Sequence, residues 1–262
     1  MNFFFGIKSK EYKNELFIPK FKNNSKIDKD INLFQAKIEN KKWVIENVSH
    51  FEKENFYVIK NINLDNHNIF FLAKNSEIFD KNNFKKKIYM NELVNISSYT
   101  DTDPDYRCNL RIYNQNALAS YQSDYPYKMI KSEGSILSPI YPLTNKEAEI
   151  NKIFFRNIYF LPIIKSFNAY LIDYKKKKII KTFEITTNTT NEIILKNDQI
   201  YEDVYLFTKS FIGIPVFVSQ KENSLSMEHT HPPHHYLLGH DKFRKINNLK
   251  ETFNEIINKE NI

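Results

Sequence analysis

The sequence predicts a mostly β protein: an antiparallel β-sandwich with a small N-terminal β region and a C-terminal amphipathic helix. Three observations carry this. Phe and Tyr are abundant (22 and 16) while Gly is scarce at 4, a balance that suits packed strands over flexible linkers. Short apolar runs recur between polar clusters at hairpin-like intervals. A segment near the C-terminus carries a helical period. The 262 residues are ample for a sizeable core. They divide into a β region over 1–95, a sandwich domain over 96–240 that includes a histidine-rich segment at 225–240, and a helix over 241–262 packed on the sandwich.

In order along the chain, residues 20–103 hold no proline and are dense in Asn and Lys. Within them "WVIEN" (43–47), "FYVIK" (56–60) and "NIFFLA" (68–73) read as strands of a small antiparallel sheet, with 20–40 either structured or disordered. "RCNLRIY" (107–113) alternates: Cys108, Leu110 and Ile112 share one side, and Arg107, Asn109, Arg111 and Tyr113 the other, as in a half-buried strand. Residues 117–145 are turn-rich. "FNAYLIDYKKKKIIKTFEI" (167–185) is a hairpin with a lysine tip at 175–178. "DVYLFT" (203–208) and "GIPVFVS" (213–219) are further strands. Pro215 lacks a ladder donor and predicts an edge or a bulge there. In "NNLKETFNEIINKE" (247–260), Asn248 and Glu251 form a capping-box pair. Leu249, Phe253, Ile256 and Ile257 make one helical stripe.

Pieces of residues 137–220 resemble a known module. They are a turn at Asn145, Glu147 and Ala148, a polar strand ending in an apolar run at 186–195, and "IPVFVSQ" at 214–220. Together they look like the β-sandwich module of the sensory rhodopsin transducer family. The resemblance implies a sandwich able to oligomerise and to bind a small molecule or a partner, and it implies no reaction.

Several classes are disfavoured by composition. The formal charge is +7 from 38 basic and 31 acidic residues, which speaks to solubility more than to a partner. One cysteine, Cys108, precludes an intrachain disulfide and fits a reducing compartment. "MNFFFGIKSK" is a poor signal peptide, and no run approaches the ~18 apolar residues of a membrane span. A cytoplasmic location is therefore expected. Four glycines provide neither a P-loop nor a dinucleotide fingerprint. "KKKK" (175–178) is a charged hairpin tip, and without a recognisable stacking platform nucleic acid is a disfavoured partner.

Two constellations remain. In "LSMEHTHPPHHYLLGH" (225–240), a strand over 225–231 puts Leu225, Met227, His229 and His231 on one face. His234 or His235 joins them if the chain bends at Pro232–Pro233. Such a cluster either holds zinc or iron, with Glu228 or an aspartate from 101–105 as the candidate base, or keeps His229 and His231 hydrogen-bonded beneath the sheet with the others in solvent. Neither a complete cupin pattern nor HExxH is present. Asp101, Asp103 and Asp105 alternate in "DTDPDY" but fail the calcium-loop pattern at Tyr106 and Ile112. The second constellation is Arg107 and Arg111, ~13 Å apart on one strand face. They either clamp an anion with help from Tyr113, or pair with neighbouring carboxylates. Tyr121, Gln122 and Tyr125 follow, a mixture that suits a sugar or a protein surface. The expected function is binding of a small polar ligand, such as a carbohydrate, or of a protein partner. The competing expectation is a metal-dependent enzyme centred on His229, His231, His234 and His235.

Overall fold

The structure is a computed structural model that describes residues 2–22, 26–27, 31–74, 78, 87–95, 107–115, 117–131, 133–229 and 239–260. The chain forms two compact units. The first comprises Met1–Lys131, Ile158–Ile164 and Asn188–Thr190, and the second Ser132–Asn157, Lys165–Thr187 and Asn191–Ile262.

The strands of the first unit are β1 (Asn2–Phe4), β2 (Lys13–Pro19), β3 (Phe21–Lys22), β4 (Lys26–Ile27), β5 (Ile31–Glu39), β6 (Lys42–Asn47), β7 (Phe51–Lys53), β8 (Phe56–Lys60), β9 (Ile69–Lys74), β10 (Ile88–Met90), β11 (Asn109–Tyr113), β12 (Leu118–Gln122) and β13 (Asp124–Pro126). They build a six-stranded sheet in the order β10-β6-β5-β9-β1-β13, a five-stranded sheet β12-β11-β2-β8-β7, and the small pair β3-β4. The apolar run Ile69–Ala73 is wholly buried. It forms an interior strand between β5 and β1, as expected where both faces of a strand are covered. Asn188 secures the segment 158–164. At φ 57°, a conformation Asn tolerates, its side chain donates to the carbonyls of Leu161 and Ile163 and accepts from the Tyr159 N–H.

The second unit holds β14 (Ile136–Pro139), β15 (Ile150–Arg156), β16 (Ser166–Asp173), β17 (Lys178–Thr186), β18 (Thr190–Leu195, whose first residue belongs to the first unit), β19 (Val204–Thr208), β20 (Ile214–Lys221) and β21 (Ser224–His229), followed by helix α1 (Lys242–Glu260). Two four-stranded sheets result, β14-β19-β16-β17 and β18-β15-β20-β21. Every described pairing is antiparallel. Helix α1 lays Phe253, Ile256 and Ile257 on Leu137, Tyr170, Ile172 and Phe207 of the first of these sheets.

The mostly antiparallel β architecture and the C-terminal helix agree with the sequence, but the arrangement does not. In place of one two-sheet sandwich, the described strands form four principal sheets, two in each unit. β11–β13, grouped by sequence with the later strands, pair with β2 and β1. Within 20–40, the stretch Ile31–Glu39 is a strand. Pro215 sits in an interior strand, opposite Phe155 of β15. The described ladder with β21 begins one residue later, at Val216, so the missing donor falls at the ladder's end. The helix begins before Asn248, at Lys242, because Ile246 extends the buried stripe by a turn. Asp241, ion-paired with Arg244 and Lys245, supplies negative charge at its N-terminus.

Two predictions arise here. A Cβ at Gly213 would overlap the Arg156 carbonyl oxygen and stand 2.6 Å from the Phe155 ring. Gly213→Ala is expected to lower stability by about 1–3 kcal/mol, the usual cost of overpacking, read as a lower urea midpoint.

The second concerns the β16–β17 hairpin. Its Asp173 is buried, and it accepts the Tyr201 hydroxyl at 2.7 Å and the Lys176 N–H at 2.8 Å. Burial raises its carboxyl, but these bonds outweigh that and hold it below the usual range. Burial and the bond to Asp173 push the Tyr201 phenol up to about 12. A group raised on folding stabilises fully below its unfolded pKa of about 10 and loses that contribution as pH rises through the folded value. Stability is therefore expected to decline between about pH 10 and 12, and less steeply in Tyr201→Phe. Tyr205, also raised by burial, keeps the slope from vanishing. Denaturant midpoints across that range test this.

Candidate functional site

The alternation of β11 appears in three dimensions as predicted. Cys108, Leu110 and Ile112 are fully buried, while Asn109, Arg111 and Tyr113 stand half-exposed on the other face of the five-stranded sheet. Directly paired residues share a face. The register therefore brings Lys13, Glu15 and Phe17 of β2 beside Tyr113, Arg111 and Asn109. Leu118, Ser120 and Gln122 of the edge strand β12 join on the other side. Val58 and Lys60 of β8, and Phe51 of β7, continue the same face.

Arg107, exposed just before β11, donates from Nη1 to Gln122 Oε1 at 3.0 Å. Arg111 donates from Nε to Asn109 Oδ1 at 3.0 Å, and its guanidinium lies 3.9 Å above the Phe17 ring. Both cations are thus positioned by neutral groups. Arg244, by contrast, is ion-paired with Asp241. A guanidinium carries five N–H donors in a fixed fork, so each of these two retains donors for an anion. Beside them, burial and the Glu15 charge push the Tyr113 phenol up; like any tyrosine it is a hydrogen-bond donor at neutral pH.

Four of the six expected ligand residues (Arg107, Arg111, Tyr113 and Gln122) share this face. Tyr121 does not: it pairs with Leu110 and follows the pleat to the opposite side. Tyr125 belongs to β13 of the six-stranded sheet and is fully buried. Sequence reasoning missed Phe17 and Lys13 because β2 was not recognised, and Lys60 because β8 joins this sheet through β2. The cue was the inward pair Leu16 and Ile18, masked by Asn14 and Phe17, which break the apolar–polar alternation.

In β21, Met227 is buried, His229 half-buried and Glu228 exposed, so Met227 and His229 face alike and Glu228 points away. His231, His234 and His235 lie outside the described residues, as do Asp101, Asp103 and Asp105. Among the described residues no group of three or more His, Cys, Asp or Glu side chains converges as a metal site, and His240 is exposed. Burial pushes the Cys108 thiol well up, reinforced by the charge of Asp124, which fits an inert core residue.

The first unit also bears a cleft of about 460 Å³ lined by Lys37, Ile38, Asp65, His67, Asn68 and Ile164. Lys37 is held by Glu46 at 2.8 Å and Glu39 at 3.0 Å. Asn68 donates to Gln35, which donates to Glu46. The cleft's cation is therefore already neutralised by two carboxylates, unlike the arginines of β11.

No helix among the described residues is long and apolar enough to cross a membrane. No protein-family model matches the sequence, no curated protein matches it, and no solved structure matches it.

Proposed function

We propose that this is a binding protein that holds a polar, anionic ligand on the outer face of the five-stranded sheet, with Arg107 and Arg111 as the anion-binding groups. The observation carrying this is that both guanidinium groups are oriented by Gln122, Asn109 and Phe17, with no carboxylate ion-paired to either among the described residues. Charge-assisted bonds to an incoming anion are the strong ones, and pre-oriented donors lower the ordering cost of making them. Tyr113 and Gln122 supply neutral donors and acceptors of the kind that orient an acidic sugar or an acidic protein segment. Calorimetric titration of the full chain with tripolyphosphate and with a sulfated disaccharide tests the reading. Binding that disappears in the Arg107→Ala/Arg111→Ala double variant supports it, and no heat with either probe overturns it.

The competing reading is a metal-dependent enzyme built on His229, His231, His234 and His235, with zinc or iron activating water and Glu228 as base. It draws support from the shared facing of Met227 and His229. If it holds, purified protein contains near-stoichiometric transition metal, and replacing His229 and His231 together removes it. Metal-free protein whose thermal midpoint is unmoved by added zinc excludes it.

A further inference from the structure

We infer that the ligand of this face is single-stranded nucleic acid, bound across the sheet by alternating cations and rings; the inference rests on the anion-binding reading above. Along the outward positions of the five strands stand Lys13, Lys53, Lys60 and Arg111, with Arg107 just before β11 bonded to Gln122, against one strand carboxylate, Glu15. Glu52 of β7 is directed to the other side, paired with Tyr57 in register and bonded to Lys20. Strands ~4.8 Å apart make the face roughly 19 Å wide, wider than a small ligand requires and suited to an extended polyanion.

The rings separate nucleic acid from other polyanions. Phe51 is 56% exposed, and the Lys60 ammonium lies 4.7 Å from its centroid. Phe56 is half-exposed and meets Phe17 edge-on, at 6.2 Å between centroids. The Arg111 guanidinium stacks on Phe17, and Tyr113 flanks it in the same strand. Two of the five cations, Lys60 and Arg111, therefore lie against a ring. Bases stack on aromatic rings and on guanidinium planes, while phosphates meet the charges. A sulfated polysaccharide would use the cations but has no planar base to lay on Phe51. This placement is not visible in the sequence, because Phe51, Phe17 and Arg111 come from three separate strands.

The test is fluorescence anisotropy of the full chain with labelled oligothymidylate and oligouridylate of about 12 nucleotides, within the usual span of such sites. The comparators are a duplex of equal length and a sulfated oligosaccharide of matched charge. The single strands are expected to bind best. Phe51→Ala, at an exposed edge position that leaves the core intact, should weaken them about tenfold with the salt dependence unchanged, and Phe51→Trp should restore binding. Arg107→Gln/Arg111→Gln should flatten the slope of log affinity against log salt by ~0.7 per charge removed. Equal or tighter binding of the oligosaccharide or duplex, or an unaltered affinity in Phe51→Ala, overturns the inference and leaves the anion-binding reading standing. Failure of every anion, tripolyphosphate included, overturns both.

Discussion

Phe253→Ala is expected to destabilise the protein by about 3–5 kcal/mol, the usual cost of removing a fully buried Phe from a close-packed site. Phe253 is the anchor by which α1 holds its sheet. Its ring centroid lies 5.4 Å from that of Phe207, 5.6 Å from Tyr205 and 5.9 Å from Tyr174. Ile256 and Ile257 complete the contact one turn on. The helix end adds a polar tie, with the Ile179 N–H donating to the Glu260 carboxylate at 2.9 Å. Emptying the Phe253 site leaves three aromatic neighbours facing a cavity that a rigid sheet cannot collapse to fill. Urea unfolding of the full chain reads the effect. Leu249→Ala, at a partly buried position on the same stripe, should cost clearly less. A loss below about 1 kcal/mol for Phe253→Ala would show that the helix contributes little to the fold.

The second large effect concerns binding. Hydrogen bonds to charged groups are worth roughly 1.5–3 kcal/mol each, so removing both Arg107 and Arg111 should weaken an anionic ligand by about a hundredfold or more. Stability should change little, because Arg107 is exposed and Arg111 half-exposed on the outer face. The single variants separate the two roles. Arg107→Ala frees Gln122, whereas Arg111→Ala also uncovers the Phe17 ring. Arg111→Lys keeps the charge but loses the planar stack and the fork of donors, so it should recover only part of the affinity. Calorimetry with tripolyphosphate separates these outcomes. Wild-type affinity in the double variant would move the site elsewhere, with the cleft at Lys37 and Asn68 the next surface to test.

Much of the secondary structure was legible from local pattern. "FYVIK" (56–60) is β8, residues 43–47 lie in β6, 69–73 in β9, and the hairpin at 167–185 becomes β16 and β17 around its lysine turn. These segments announce themselves because their period and their turn residues are local. Sheet membership is not local. β11 pairs with β2, nearly a hundred residues earlier in the chain, and nothing in "RCNLRIY" selects that partner over later strands. That one pairing moves β11 and β12 out of the expected sandwich and creates the composite face. Tyr125 shows the same limit: its turn-rich surroundings suggest exposure, yet β13 carries it into the six-stranded sheet opposite Phe3. The capping pair Asn248–Glu251 misled because Ile246 continues the apolar stripe toward Lys242. The arginines were legible as neighbours on one strand face. Asn109 was legible on the same face, but the contacts of Gln122 and Phe17 were not, since these reach the arginines from two other strands.

The most direct test of the proposed site uses the chain's four arginines, Arg107, Arg111, Arg156 and Arg244. Their side-chain Nε–H resonances give four assignable probes, two on the proposed face and two elsewhere. On titration with tripolyphosphate, Arg107 and Arg111 are expected to shift together along one saturating curve, while the fully buried Arg156 and the Asp241-paired Arg244 stay in place. Shifts confined to Arg244, or no saturable shift at Arg107 and Arg111, would contradict an anion site on the five-stranded sheet.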